Sequence, residues 1–174
     1  MKKILETNRL MLREMNDEDF AALKKVLSDP ENMKYYPKPY DDEGVQKWID
    51  WCKSSYQQYG FGLWAVVLKS TGEMIGDCGV SMQFIDEQWK PEIGYHLRLD
   101  FHKQGLGKEM TQAVRDYFFI HYDYDEVYSY METDNLPSQK TAEANGMTYR
   151  HDYNIKYGVC KVYSITREEW EKRK

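Results

Sequence analysis

The chain has 174 residues, of which 41% are hydrophobic and 15% aromatic, and its 29 acidic residues outnumber its 24 Lys and Arg residues to give a net charge of −5. This composition is too apolar and aromatic for a disordered chain, and the acidic balance argues against a dedicated nucleic-acid or membrane partner. The longest apolar run, residues 61–68, is shorter than the about 20 residues of a membrane span, and the charges within residues 2–9 argue against a signal peptide. We therefore expect a single cytoplasmic domain over residues 1–174.

The first third of the chain predicts one strand and two helices. Alternating apolar residues predict a strand over residues 6–15. Asn16 then offers an N-cap for a helix whose segment is closed by Pro30. Apolar residues at helical spacing predict a second helix from near Asp41 to Gly60.

The middle and the end of the chain predict mainly β-structure. Residues 61–69 and 73–85 read as a hairpin, and residues 147–153 and 159–165 read as a closing pair of strands. Residues 167–174 predict a short, charged helical tail.

A β–α–β unit is predicted between these two regions. A strand over residues 91–99 is followed by a strongly amphipathic helix over 105–121 and a strand over 127–132, an order that normally makes a right-handed parallel crossover. A short helix then runs from Pro137 to Asn145. The fold class is mixed α+β (α/β by a looser label), with a mostly antiparallel central sheet flanked by helices.

The loop that enters the amphipathic helix is a candidate anion site. Gly105 and Gly107 allow close backbone approach, the helix start presents free N–H groups, and Lys103 and Lys108 add positive charge. This combination favours a phosphate or pyrophosphate, although an ordinary strand-to-helix turn explains the glycines equally well.

Two common nucleotide motifs are excluded at this loop. A P-loop would need Gly at position 102 and Ser or Thr at 109, where His102 and Glu109 stand. A dinucleotide fingerprint would need a third glycine at Met110.

Asn135 and Ser138 form a second candidate ligand site. They lie just beyond the carboxyl end of the second parallel strand, where ligands of open sheets tend to bind. Both residues are also common helix caps, so capping is the alternative explanation.

Taken together, these stretches carry a family resemblance. The matching segments are residues 7–13 (TNRLMLR), 76–79 (GDCG), 92–97 (EIGYHL), the glycine-containing loop, and Asn135-x-x-Ser138 with residues 145–147 (NGM). In order and spacing the chain resembles the GNAT N-acetyltransferases, and within them the RimJ/RimL-like ribosomal-protein N-terminal acetyltransferases, over residues 5–166.

The resemblance implies acetyl-CoA as the co-substrate. The family loop reads Arg/Gln-x-x-Gly-x-Gly/Ala, and here His102 replaces the first residue while both glycines match. Many members place a Tyr four residues after the Ser138 position, where this chain has Ala142. The cofactor-binding residues implied are Leu97, Arg98, Leu99, Lys103, Gln104, Gly105, Leu106, Gly107, Lys108, Asn135 and Ser138.

The resemblance also implies direct acetyl transfer to a primary amine in a ternary complex. Glu92 is the candidate general base, against the alternative of a solvent-facing strand residue. Backbone N–H groups of residues 97–99 are expected to stabilise the oxyanion, and Ser138 is the candidate acid. The acceptor, a peptide N-terminus or small-molecule amine, is expected over the two early helices and the Tyr35–Tyr36 loop.

Two alternatives stay open: a non-catalytic acyl-CoA-binding domain of the same fold, and an unrelated α+β binding domain. We expect a monomer or homodimer. The three cysteines contain no CxxC pair and the four histidines lack metal-site spacing, so no metal site is expected. Four tryptophans are candidates for lining the acceptor site, although most are expected in the core: Trp48, Trp51, Trp64 and Trp89.

Overall fold

A computed structural model describes residues 2–156 and 158–174, which form one sheet with helices on both faces. The strands are β1 (Lys3–Glu6), β2 (Leu10–Arg13), β3 (Leu63–Leu68), β4 (Glu73–Ile85), β5 (Gln88–Leu97), β6 (Glu126–Glu132), β7 (Thr148–Ile155) and β8 (Gly158–Thr166). The helices are α1 (Phe20–Leu27), α2 (Asp42–Tyr59), α3 (Leu106–His121), α4 (Leu136–Ala144) and α5 (Arg167–Glu171).

The strand order across the sheet is β1-β2-β3-β4-β5-β6-β8-β7. Neighbours pair antiparallel except β5 and β6, which are parallel and are joined through α3. The predicted mostly antiparallel α+β fold with one parallel unit is therefore confirmed.

Side chains alternate between the two faces of the sheet, and each face has its own core. In β3, Leu63 and Ala65 pack with the buried residues of α1 and α2, whereas Trp64 and Val66 pack with those of α3 and α4. The sheet therefore separates an α1/α2 side from an α3/α4 side.

Among the described residues, β5 and β6 form a parallel bridge at one position only, Glu92 opposite Tyr128. The Ser129 hydroxyl adds a side-chain bond across the strands by donating to the Ile93 carbonyl at 2.9 Å. A cavity lined by both strands lies beyond this point. The parallel pair therefore parts in the middle of the sheet, which is where α/β folds place ligands.

Two of the predicted strands have wrong boundaries. The first predicted strand is a β1–β2 hairpin, because Thr7 turns the chain and its N–H donates to the Leu10 carbonyl at 2.8 Å. Strand β5 begins earlier than predicted because Asp86 and Glu87 form a tight left-handed turn, with φ of 53° and 62°. It ends at Leu97 because a short 3₁₀ turn follows at Leu99–Phe101.

The predicted ends of α2 are confirmed, while the other predicted helices differ slightly from the structure: α4 begins at Leu136 rather than Pro137, and the C-terminal helix ends at Glu171 rather than Lys174. Asn16 caps a 3₁₀ turn, Asp17–Asp19, that leads into α1 and includes a capping box. The Asp41 side chain caps α2, and Gly60 ends it with a left-handed φ of 79°.

Candidate active site

The candidate active site is a cavity of about 610 Å³ at the parting of β5 and β6. Glu92, Tyr95 and His96 line it from β5, and Tyr130 lines it from β6. On the α3/α4 side it reaches Asn135 and Ser138, and on the α1/α2 side it reaches Trp48 and Trp51. The cavity therefore spans both sides of the sheet and has the volume of a small-ligand site.

Glu92 lies between the separated strands. Its carboxylate accepts a hydrogen bond from the Tyr130 backbone N–H, while desolvation by burial raises the pKa of this carboxyl well above its usual value. Its Oε1 lies on the α1/α2 side, beside Gly94. A cationic ligand arriving next to Glu92 would favour the ionised carboxylate.

Asn135 and Ser138 both line the cavity, and Asn135 also caps α4. The Asn135 Oδ1 accepts a hydrogen bond from the Ser138 backbone N–H at 3.3 Å, which leaves the Ser138 hydroxyl available to other groups. Asn135 therefore caps α4 and lines the cavity at the same time, so the two explanations do not exclude each other.

Tyr95 joins Ser138 in a hydroxyl cluster that the sequence did not reveal. Burial raises the pKa of the Tyr95 phenol, and hydrogen bonds with the Thr141 and Ser138 side chains oppose that rise. The Tyr95 ring also lies against Gly107, whose Cβ position is 3.8 Å from Tyr95 Cε2. Because Tyr95 is an odd number of residues from Glu92 along β5, it faces the α3/α4 side.

The three residues predicted to stabilise the oxyanion differ in whether their backbone N–H groups are free to donate to it. The Arg98 N–H donates to the Ile75 carbonyl at 2.8 Å, so it is engaged in pairing with β4. Because N–H groups alternate in direction along a strand, the Leu97 N–H points to the opposite edge, where β6 has parted from β5. Leu99 lies outside the strand, with 44% of its surface exposed.

The Arg98 side chain is held outside the cavity. Its guanidinium pairs with Asp100 at 2.7 Å and with Glu73 at 2.5 Å, and these two carboxylates raise its pKa. The Arg98 side chain therefore stabilises the loop after β5 and does not line the cavity.

The predicted phosphate loop has a constrained backbone. His102 Nε2 donates to the Leu97 carbonyl at 2.6 Å, so the residue that departs from the family pattern ties the loop to the end of β5. Lys103 and Gly105 have left-handed φ angles of 60° and 77°. Lys103 and Lys108 are exposed and form no ion pair with any described residue. Together with the first N–H groups of α3, they form an electropositive loop end.

The β1–β2 turn supports this loop from the other side. Arg9 Nη1 donates to the Gln104 carbonyl at 2.9 Å, and Arg9 Nη2 pairs with Glu109 Oε2 at 2.7 Å. The Thr7 hydroxyl donates to Glu109 Oε1 at 2.6 Å. The Thr7-Asn8-Arg9 segment therefore fastens the N-terminal hairpin to the start of α3.

Asn145 carries an unpaired side-chain acceptor in the wall of the cavity. The residue is only 1% exposed and lines the cavity, and its side-chain Oδ1 has no hydrogen-bond partner among the described residues. Its backbone carbonyl, by contrast, accepts from Arg115 Nη1 at 2.8 Å. A buried unpaired acceptor costs about 1–3 kcal/mol, so this oxygen favours a ligand that carries an N–H or O–H donor.

A buried polar network occupies the α1/α2 side of the cavity. Asp77, fully buried, accepts from the His96 backbone N–H and from His96 Nδ1, both at 2.9 Å, and from Trp48 Nε1 at 2.9 Å. The Tyr36 hydroxyl lies 2.7 Å from His96 Nε2 and donates to it, because the bond to Asp77 places the ring proton on Nδ1. The sequence prediction missed this network, although a charged residue inside the apolar β4 was a signal, since buried charges need partners.

The four candidate tryptophans have different environments. Trp48 and Trp51 line the cavity, Trp64 is buried in the core beneath α3, and Trp89 is 66% exposed near the β4–β5 turn. Only the two on α2 are placed to contact an acceptor.

Within residues 2–156 and 158–174, no group of His, Cys, Asp and Glu could hold a metal ion, and no helix is long and apolar enough to span a membrane. Cys78 is fully buried, and desolvation raises the pKa of its thiol well above the usual value. This environment disfavours the thiolate that a nucleophilic cysteine needs.

Comparison with known proteins gives consistent results. A family model described as an acetyltransferase (GNAT) domain matches residues 9–148. YkkB, an uncharacterized protein of Bacillus subtilis (strain 168), is 34% identical over 149 residues, which cover 85% of this chain and 87% of YkkB. The uncharacterized N-acetyltransferase p20 of Bacillus licheniformis is 33% identical over 139 residues, which cover 78% of this chain and 77% of p20.

Solved structures share the fold at lower identity. RimL, a ribosomal L7/L12 alpha-N-protein acetyltransferase, superposes with a TM-score of 0.78 at 20% identity, covering 95% of this chain and 94% of RimL. The aminoglycoside acetyltransferase AAC(6')-Ib, in complex with coenzyme A and kanamycin, gives a TM-score of 0.76 at 19% identity, covering 94% of this chain and 98% of its own.

Proposed function

Because this chain belongs to the GNAT acetyltransferase family, and is therefore an acyltransferase, we propose that it moves the acetyl group of acetyl-CoA to a primary amine by direct transfer in a ternary complex. The observation that carries this proposal is the cavity at the parted strands. On one side of the sheet its lining residue Tyr95 lies against Gly107 of the electropositive loop, and on the other side it is lined by aromatic rings. A place near the RimJ/RimL-like subgroup is part of the proposal and rests on the order and spacing of the matching sequence segments.

The residues of the α3/α4 side fit acetyl-CoA. The loop end formed by Lys103, Gly105, Leu106, Gly107 and Lys108 suits the pyrophosphate, because its N–H groups and charges favour anions. The unpaired Asn145 Oδ1 suits an amide N–H of the pantetheine arm, and Asn135 and Ser138 lie along the same wall. When bound, acetyl-CoA supplies the acetyl group as a thioester.

Glu92 is the proposed general base. An amine arrives as an ammonium ion and must lose a proton before attack, and a carboxylate in the cavity can take it directly or through a water. The raised pKa makes this carboxylate a stronger base than an exposed one. The Leu97 N–H, which points into the gap beyond β5, is the proposed donor to the carbonyl oxygen.

Ser138 is the proposed acid for the departing thiolate, and Tyr95 is proposed to act with it. The phenol is intrinsically far more acidic than an aliphatic hydroxyl, and the Ser138 side chain lies near enough to lower the pKa of Tyr95. A proton can thus pass from Tyr95 through Ser138, or directly from Tyr95, to the sulfur. Tyr95 would thus supply the phenol that many family members carry at the position of Ala142.

The test is an acetyl-transfer assay that follows release of free thiol from acetyl-CoA across a panel of primary amines. A thermal-shift titration runs beside it, because saturation at 100 times the Kd adds about 2.7 kcal/mol of stability. Thiol release that depends on an amine supports the proposal. Stabilisation by acetyl-CoA with no turnover of any amine would instead support a non-catalytic acyl-CoA-binding domain, and no stabilisation at millimolar acetyl-CoA would refute both.

A further inference from the structure

The α1/α2 side of the cavity is walled by aromatic rings. Tyr40 and Trp48 have ring centroids 5.6 Å apart, Trp48 and Trp51 are 5.1 Å apart in an edge-on arrangement, and Trp48 and His96 are 5.3 Å apart. Tyr36 packs against His96 at 5.4 Å. These rings form a chamber that offers flat apolar faces to whatever lies beside Glu92.

The walls of this chamber are fixed in place before any ligand arrives. Asp77 holds Trp48 through the indole N–H and holds His96 through Nδ1, and His96 in turn holds the Tyr36 hydroxyl. A chamber built this way loses little conformational entropy when a ring enters it.

The same network removes one carboxylate from ligand binding. Both oxygens of Asp77 already accept hydrogen bonds from His96 and Trp48. Among the described residues, the carboxyls that line the cavity are Glu92 and Glu132, and Lys47 adds a positive charge to the same lining. A ligand with several ammonium groups would need more acidic partners than these two.

From these observations we propose that the acceptor is a small primary monoamine with a flat, apolar body, of the arylalkylamine class. Its ammonium group lies at Glu92 and its ring lies between Tyr36, Trp48 and Trp51. This inference rests on the proposed function. It separates the chain from AAC(6')-Ib, whose solved complex contains the polycation kanamycin.

The experiment compares kcat/KM for four probes at saturating acetyl-CoA: 2-phenylethylamine, propylamine, kanamycin and a hexapeptide with a free N-terminus. We expect 2-phenylethylamine to exceed propylamine by at least about tenfold, since burial of a phenyl ring contributes more than the about 1.4 kcal/mol that a tenfold change requires. Kanamycin and the peptide should be poorer than 2-phenylethylamine.

Two tryptophan variants supply the matched comparison. Trp51→Ala removes a ring of the chamber wall that makes no hydrogen bond to another described residue. The substitution should raise the KM for 2-phenylethylamine by about tenfold and leave the KM for propylamine unchanged. Trp89→Ala removes an exposed ring outside the cavity and should change neither value.

Each outcome decides the inference. Faster turnover of kanamycin or of the peptide than of 2-phenylethylamine would overturn the substrate class and leave the acetyltransferase proposal standing. Equal rates for 2-phenylethylamine and propylamine would do the same. Absence of turnover with every amine would overturn the proposed function together with this inference.

Discussion

The unpaired oxygen of Asn145 gives the sharpest test of how the cavity holds acetyl-CoA. In the free protein, Asn145 Oδ1 is buried without a partner, at a cost of about 1–3 kcal/mol. If a pantetheine N–H fills that position, binding relieves the cost. In Asn145→Ala the same ligand donor would be left unpaired in the complex, so affinity should fall by about 1–3 kcal/mol, or about 5- to 150-fold.

Stability of the free protein should respond in a different way. Alanine loses the packing of the amide group but removes the unpaired oxygen, so the two effects offset each other. We expect the Tm of free Asn145→Ala to lie within about 4 °C of the wild type, the shift that about 1 kcal/mol produces in a domain of this size.

The assay is isothermal titration calorimetry with CoA and acetyl-CoA, beside thermal unfolding without ligand. Thr111→Val is the matched control, because Thr111 also lines the cavity but its hydroxyl already donates to the Gly107 carbonyl at 2.8 Å. Its CoA affinity should stay within about twofold of the wild type, well under the tenfold that corresponds to about 1.4 kcal/mol. Unchanged CoA affinity in Asn145→Ala would refute the reasoning.

Three further predictions concern neighbouring residues. Glu92→Gln should lower kcat by about 10²- to 10⁴-fold with acetyl-CoA affinity retained. Burial raises the pKa of Glu92, so ionisation of this carboxyl destabilises the folded protein as the pH rises through its folded-state pKa. The Tm of Glu92→Gln relative to the wild type should therefore increase from pH 5 to pH 8. A Tm difference that stays constant over this range would contradict the prediction. Tyr95→Phe should lower kcat more than Ser138→Ala does and should alter the alkaline limb of the pH–rate profile; wild-type kinetics in both variants would exclude the hydroxyl cluster as the acid. Gly105→Ala forces a side chain into a left-handed backbone of φ 77°, at a cost of about 1–2 kcal/mol. It should therefore lower Tm by about 2–8 °C and weaken CoA binding, measured by the same two methods.

Local patterns predicted most of the fold because their physical causes are local. The amphipathic stripe of α3 and the capping side chains of Asn16 and Asp41 act within a few residues. Helices α2 and α3 lie where their patterns placed them, and Asn16 caps the 3₁₀ turn that leads into α1. The boundaries that were wrong depended on backbone conformations that sequence signals weakly. Asp86 and Glu87 adopt left-handed angles without a glycine, and Thr7 makes the turn that divides the first predicted strand.

The candidate site was only partly predictable for a different reason. Glu92, Asn135 and Ser138 follow motifs of fixed spacing, so they could be named as candidates from the sequence. Tyr95 lies near Ser138 only through the tertiary placement of α4, which packs against α3 and β6. Asp77, His96 and Tyr36 come together from three separate segments, and no short-range spacing encodes that contact.

Strand β5 carries the proposed base, Glu92, and the phenol proposed to act with Ser138, Tyr95, on opposite faces and three residues apart. Their separation is set by the pleat of one strand, not by two independently mobile elements, so it stays constant while loops around the cavity move. The same arrangement makes the chemistry sensitive to register. A one-residue insertion between the β4–β5 turn and Glu92 would turn that carboxyl toward α3 and α4 while the sheet could remain paired. The buried Ile93 and Leu97 would change face together with Glu92, so the register of β5 fixes the core and the position of the proton acceptor at once.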